Sequence, residues 1–181
     1  MADHIVDACC LINLYASGQF ERIIAECGGD FYVTKQVQNE SLIVRRPDAG
    51  DSLQLQSVPI DLSAPISAGL IHECALEGTK ELQYYIQFAS QLDDGEASCL
   101  AIAYSRGWML ATDDRKARTV AERFGVSIIS TPELLNRWAT LTSPTSDEIS
   151  EVIRSIRRFA KFRPRPGSPM YDWWTAFGDS P

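Results

Sequence analysis

The feature that most constrains this chain is a run in its second half where short apolar segments alternate with amphipathic helices. Asp93-Asp94-Gly95-Glu96 opens a predicted helix with Ala97, Leu100, Ala101 and Tyr104 as its apolar positions, ending near Gly107. Residues 108–111 read as a buried strand, 115–124 as a helix closed by Gly125, and 126–129 as another strand. Thr131-Pro132-Glu133 then starts a helix with a capping residue and proline at its first position. Strand and helix alternating in this way imply an α/β fold: a parallel sheet with helices on both faces.

The first half reads similarly. Residues 4–7 form a short predicted strand ending on an acid, followed by helices over 9–16 and 19–27, with Gly28-Gly29 as the stop. Residues 31–33 are a second strand, and Thr34 caps a predicted helix through Val37, Glu40 and Leu42 to about residue 44. Residues 46–51 are a loop signal. Residues 52–76 are ambiguous: Leu53, Leu55, Val58, Ile60 and Leu62 suggest extended pieces, and 66–76 fits helix or strand. Residues 79–91 are predicted helical, with Leu82, Tyr85, Ile86 and Ala89 on one side. Thr145 with Glu148 makes a capping box for a helix from 146 to about 162, which Pro164 and Pro166 end. A short aromatic stretch, Tyr171-Asp172-Trp173-Trp174, follows.

A chain of 181 residues, 45% hydrophobic and 23% charged, suits one globular domain with a short appendage. No apolar run approaches the ~18 residues of a membrane span. The start, MADHIVDACC, lacks the basic region of a signal peptide, so a cytoplasmic protein is expected. Five cysteines without a C-x-x-C pair, and two distant histidines, argue against zinc and for reduced thiols. No G-x-S-x-G, Walker A or G-x-G-x-x-G pattern occurs. An aspartyl-nucleophile phosphatase would want an acid two positions after Asp7, where Cys9 stands.

Functional groups of an open parallel sheet collect at the C-terminal ends of its strands. Asp7 follows the first strand, and Asp113 and Asp114 follow the strand over 108–111. Glu96 lies in the first turn of its helix, and Glu40 lies inside the helix after the second strand. Each also has a plainer role: Glu96 serving the helix dipole, Asp113 or Asp114 an N-cap, Glu40 a solvated helix residue. Asp7, flanked by apolar residues, needs a partner. Carboxylates gathered at one edge would repel each other unless a divalent cation bound between them. Oxygen-only donors favour Mg²⁺ or Mn²⁺, which suit phosphoryl chemistry.

Four blocks, Val6-Asp7-Ala8-Cys9-Cys10-Leu11-Ile12-Asn13-Leu14, Val33-Thr34-Lys35-Gln36-Val37-Gln38-Asn39-Glu40, Leu92-Asp93-Asp94-Gly95-Glu96-Ala97 and Leu110-Ala111-Thr112-Asp113-Asp114-Arg115-Lys116-Ala117-Arg118, occur in this order. Together they resemble the PIN-domain family, metal-dependent ribonucleases that include toxins of toxin–antitoxin pairs. The resemblance spans roughly residues 5–135. It implies a three-layer α/β/α sandwich with a central parallel sheet over residues 1–142; residues 143–181 lie beyond the family core and are expected to form a C-terminal helical extension packed on it. It implies Asp7, Glu40, Glu96 and Asp114 as catalytic and metal-holding residues, with Asp113 in reserve, and Mg²⁺ or Mn²⁺ as cofactor. It implies RNA as substrate, cut to 5′-phosphate and 3′-hydroxyl ends; Thr112 and, by their charge, Arg115, Lys116 and Arg118 are expected on the substrate side. An antitoxin protein and a homodimer are the partners the family suggests. One departure stands out: the small polar pair that usually follows the first acid is Ala8-Cys9 here. That leaves a second reading, a PIN-fold binding module with weak or lost catalysis.

Charge is unevenly spread. The chain carries −7 overall, yet residues 154–165 hold six basic residues and no acid, leaving −13 elsewhere. Ile149, Val152, Ile153 and Ile156 recur at helical spacing, so this helix is expected to pack against the body; the arginines with Phe159 and Phe162 would also suit RNA. Arg115, Lys116, Arg118 and Arg123 fit a phosphate-binding face and a solvated one equally.

Overall fold

β1 (His4–Val6) is buried along its whole length, as the centre of a parallel sheet covered on both faces requires. The structure, a computed structural model, describes residues 2–40, 42–48, 50 and 54–178. After β1 come α1 (Ala8–Ala16), α2 (Phe20–Cys27), β2 (Phe31–Thr34), α3 (Lys35–Asn39), β3 (Ile43–Pro47), β4 (Leu55–Pro59), α4 (Ser63–Ser67) and β5 (His72–Cys74). α5 (Gly78–Ala89), α6 (Asp94–Arg106), β6 (Met109–Ala111), α7 (Arg115–Arg123), β7 (Ile128–Ile129), α8 (Thr131–Thr142), α9 (Ser146–Phe159) and α10 (Tyr171–Gly178) complete it.

The chain divides into two compact units, Met1–Leu11, Gly28–Ser41 and Leu62–Ser130 in the first, and Ile12–Cys27, Leu42–Asp61 and Thr131–Pro181 in the second. The first holds a five-stranded parallel sheet, ordered β5-β2-β1-β6-β7 and flanked by helices, an α/β sandwich. From β1 the chain winds outward through β2 to β5, then returns to β6 on the other side of β1 and moves out to β7. The winding reverses between β1 and β6, the switch point where open sheets of this kind form their crevice. Val6 stands in register with Ala111, so the residues that follow each strand, Asp7 and Thr112, emerge side by side. α6 lies on β1 and β2 through small side chains, with Ala97, Ala101 and Ala103 buried beside Leu100 and Ile102. Gly107, left-handed at φ 69°, ends it.

α5 spans nearly the segment expected, but the side carrying Leu82 and Ile86 faces outward, 47% and 69% exposed. Its inward face is Glu81 and Phe88. Arg106 grips Glu81 with two nitrogens, at 2.8 and 3.0 Å, and Phe88 meets Phe124 edge-on at 4.9 Å. A paired acid thus occupies a position that hydrophobicity alone assigns to the surface.

In the second unit, β3 and β4 form an antiparallel hairpin, pairing Val44 with Val58. This corrects the helix expected to reach about residue 44: α3 is only five residues long. Leu42 and Val44 are buried while Ile43 and Arg45 are exposed, which is strand periodicity. Arg46 and Pro47, expected in a loop, lie in β3. Ala49 and Asp51 of that loop signal, and the extended Leu53, fall outside the described residues. Of the ambiguous stretch, Leu55–Pro59 is strand, Ser63–Ser67 helix and His72–Cys74 strand.

α9 has the capping box of Thr145 and Glu148 and ends at Phe159, three residues before the expected end. Its Ile149, Val152, Ile153 and Ile156 are buried, and α10 and β3 pack on it. Arg157 donates to the Gly178 carbonyl at the end of α10. All five cysteines are free thiols, with Cys10, Cys27 and Cys99 buried.

Candidate active site

At the switch point the carboxylate of Asp7, 2% exposed, is enclosed by donors. Asp7 follows β1 directly, so its side chain must turn either into the sheet edge or back onto α1, and it does both. The Cys10 amide donates to Oδ1 at 2.9 Å, which makes Asp7 a cap for α1. The Thr112 hydroxyl, at the end of β6, donates to Oδ2. The Cys9 thiol lies 3.1 Å from Oδ1 and 3.3 Å from Oδ2. Burial nonetheless dominates and pushes the Asp7 carboxyl up to about 7, against the lowering effect of these bonds and with Asp113 adding repulsion.

Thr112, a substrate-side candidate from the sequence, is fully buried and donates to Asp7. Its oxygen accepts the Asp114 amide at 3.0 Å. Cys9 makes a parallel bridge: its sulfur accepts the Asp113 amide at 3.2 Å while its S–H points at Asp7. Burial first, then Asp7 and Asp113, hold the Cys9 thiol far above its ordinary pKa, so the sulfur keeps its proton and remains a donor. The carboxyl end of β1 and the loop after β6 are therefore tied by two hydrogen-bond relays, Cys9 and Thr112. The sequence marked Cys9 only as a departure. Its signal was its place two residues after the acid, where a small polar group is usual.

Asp114 is the N-cap of α7: its Oδ1 accepts from the Lys116 and Ala117 amides at 2.7 and 2.9 Å. Glu96 completes a capping box with Asp93 at the start of α6, its carboxylate accepting from the Asp93 amide at 3.4 Å. The plainer roles read from the sequence are thus occupied. Electrostatics still brings these groups together: burial pushes Glu96 up to about 7, and repulsion from Asp114, Asp93 and Asp7 adds to it.

Glu40 is not inside a helix. It follows α3 in extended conformation, φ −70° and ψ 159°, with its amide bonded to the Val37 carbonyl. Its carboxylate lies on Gly95 in the first turn of α6, so closely that a Cβ at Gly95 would overlap Oε1. Burial, then Asp93 and Asp94, push Glu40 up to about 7. Three carboxyls, Asp7, Glu40 and Glu96, are thus raised around the N-terminus of α6. Arg115 and Lys116 are exposed in the first turn of α7, and Arg118 is half-buried.

The donors are oxygens of the kind hard divalent ions take, in a cluster whose charge a cation would relieve. Among the described residues, no three His, Cys, Asp or Glu side chains are gathered closely enough to hold a metal ion. The caps explain this, because Asp114 and Glu96 turn their carboxylates onto backbone amides. A cation would compete with exposed hydrogen bonds, each contributing only about 0.5–1.5 kcal/mol.

A family model described as PIN domain matches residues 3–167 of the chain. No curated protein matches it. Among the described residues no helix is long and apolar enough to cross a membrane.

Proposed function

The chain belongs to the PIN-domain family, nucleases that use divalent metal ions and bind RNA, and on that premise we propose that it is a Mg²⁺- or Mn²⁺-dependent endoribonuclease. The observation that carries this reading is the buried carboxylate of Asp7 at the β1–β6 switch point, with Glu96, Asp114 and Asp113 near enough to affect its site electrostatically. Asp7, Glu96 and Asp114 would hold the ion, with Asp113 in reserve and Glu40 entering from across the first turn of α6. When bound, a divalent ion there lowers the pKa of water and neutralises charge on a scissile phosphate. Cys9 and Thr112 fix the orientation of Asp7, and Asp114, Asp93 and Asp7 repel the Glu96 carboxylate, a repulsion that a divalent ion would relieve. Arg115, Lys116 and Arg118 supply positive charge for the phosphate backbone on α7.

Purified protein should cleave RNA only with a divalent ion, and Asp7→Asn should abolish cleavage with the far-UV spectrum unchanged. Full activity in that variant overturns the assignment. As part of the same reading, the protein acts in the cytoplasm as the toxin of a toxin–antitoxin pair, as a homodimer held in check by an antitoxin protein. Its expression alone should then arrest growth, and Asp7→Asn should relieve the arrest.

The commitment of Glu96 and Asp114 to helix caps favours a second reading, a PIN-fold binding module with weak or lost catalysis. Under it, RNA binds with the same affinity with and without Mn²⁺ and is not cut. Calorimetric titration of Mn²⁺ into the protein separates the two readings.

A further inference from the structure

The segment just after α9 is built differently from the helix before it. Ala160 closes α9, its amide bonded to the Ile156 carbonyl at 2.9 Å, and Lys161 takes a left-handed conformation at φ 56° that stops the helix. Residues 161–165 then run without secondary structure, and their exposure alternates. Lys161, Arg163 and Arg165 are exposed, whereas Phe162 and Pro164 are half-buried. Phe162 seats edge-on against Trp174 of α10, at 5.5 Å and 87°, and Trp174 is 2% exposed. Downstream, the Arg165 carbonyl accepts both the amide and the hydroxyl of Ser168, at 3.0 and 2.6 Å, which fixes the far end in a turn. The strip is therefore anchored at its start, its middle and its end, and Pro164 and Pro166 restrict it further.

Three cations at every second position are thus presented to solvent along one short anchored segment. None of the three takes part in an ion pair among the described residues. Three unpaired cations held side by side repel one another, and they belong to a run of six basic residues without an acid in a chain that otherwise carries −13. A solvated surface gains nothing from ordering like charges in a line. A polyanion does, because the ordering cost is met before it binds. An acidic protein that takes RNA also needs a local positive field, since attraction from outside the Debye length, about 10 Å, is screened.

We propose that Lys161, Arg163 and Arg165 form a docking strip for the sugar-phosphate backbone of single-stranded RNA, recognised by charge and not by sequence. The proposal rests on RNA being the substrate, and it deepens that reading by naming where the strand is held. It needs no base contact, so Phe162 serves to position the strip.

The test is fluorescence anisotropy with a labelled 12-nucleotide oligouridine in EDTA, which removes cleavage from the measurement. Replacing Lys161, Arg163 and Arg165 together with Gln should weaken binding more than tenfold at low salt. It should also lower the slope of log Kd against log salt by about 2, as expected for three phosphate contacts on a single strand. The charge-keeping set Lys161→Arg, Arg163→Lys and Arg165→Lys should bind as the parent does. Melting of all three proteins should agree, since the substituted side chains are exposed. Unchanged affinity and salt slope in the Gln variant overturn the proposal, whether or not the protein cleaves RNA. Retained RNA binding with lost binding to phosphatidylserine vesicles or to polyglutamate also overturns it, assigning the strip to another polyanion. If the strip behaves as expected but no divalent ion restores cleavage, the strip stands and the nuclease reading fails.

Discussion

Asp7 combines burial with charge, and the two have opposite consequences for folding. Its carboxyl ionises near 4 in an unfolded chain and at about 7 in the folded one, chiefly because burial penalises the anion. Between those pH values the folded state keeps a proton that the unfolded chain releases, so this contribution to stability is intact below about pH 4 and is lost as pH rises through 7. The metal-free protein should therefore melt lower at pH 8 than at pH 5. Asp7→Asn should raise the melting temperature at pH 8, on the order of 1–3 kcal/mol in stability, with the difference vanishing at pH 4. A variant that melts no higher than its parent at pH 8 would show that the hydrogen bonds, not burial, govern Asp7. Cys9 offers a second test. Cys9→Ser keeps a donor to Asp7 and an acceptor for the Asp113 amide, so melting and Mn²⁺ affinity should be nearly unchanged. Cys9→Ala leaves that amide unpaired and should cost about 1–3 kcal/mol, with weaker Mn²⁺ binding measured by calorimetry.

At the scale of elements, helix starts dominate the site. α6 and α7 each begin on an aspartate cap beside the β1–β6 edge, and each cap involves a carboxylate expected to bind metal or lies next to one. Asp93→Ala removes the capping bond to the Glu96 amide, 2.8 Å long, and should lower stability by about 1 kcal/mol by chemical denaturation. An unaltered midpoint would mean that tertiary packing alone holds the first turn of α6. The capping boxes of α6 and α9 were legible in the sequence because a box is a local pattern three residues long. The end of α3 was not legible. Glu40 and Leu42 fit helical spacing, but residues 43–47 pair with a strand eight residues beyond, and such pairing overrides local preference.

For the whole molecule, the extension after residue 142 is open to a direct experiment. α9 buries Ile149, Val152, Ile153 and Ile156 together with elements distant in sequence, and Arg22 of α2 pairs with Glu148 at 3.4 Å. Truncation after Thr142 should lower the melting temperature by more than 5 °C, the scale of losing several buried aliphatic side chains at about 1.5–3 kcal/mol each before entropy. A truncated protein that melts with its parent would show residues 1–142 to be self-sufficient.

The sequence alone determined the parallel α/β class, because strand–helix alternation admits few other arrangements, and it placed Asp7, Thr112, Asp113 and Asp114 at strand ends. It also revealed the apolar stripe of α9, since burial at helical spacing is written in one segment. Only the tertiary structure decided which side of α5 turns inward, because an acid becomes a buried residue only when Arg106 arrives to pair it. Only the tertiary structure turned Thr112 onto Asp7 and the Asp113 amide onto Cys9, since those bonds join residues about a hundred positions apart. Hydrophobic pattern and capping are local and can be read along the chain. The partner of a buried polar group is not, because it is chosen by whichever distant segment the sheet brings alongside.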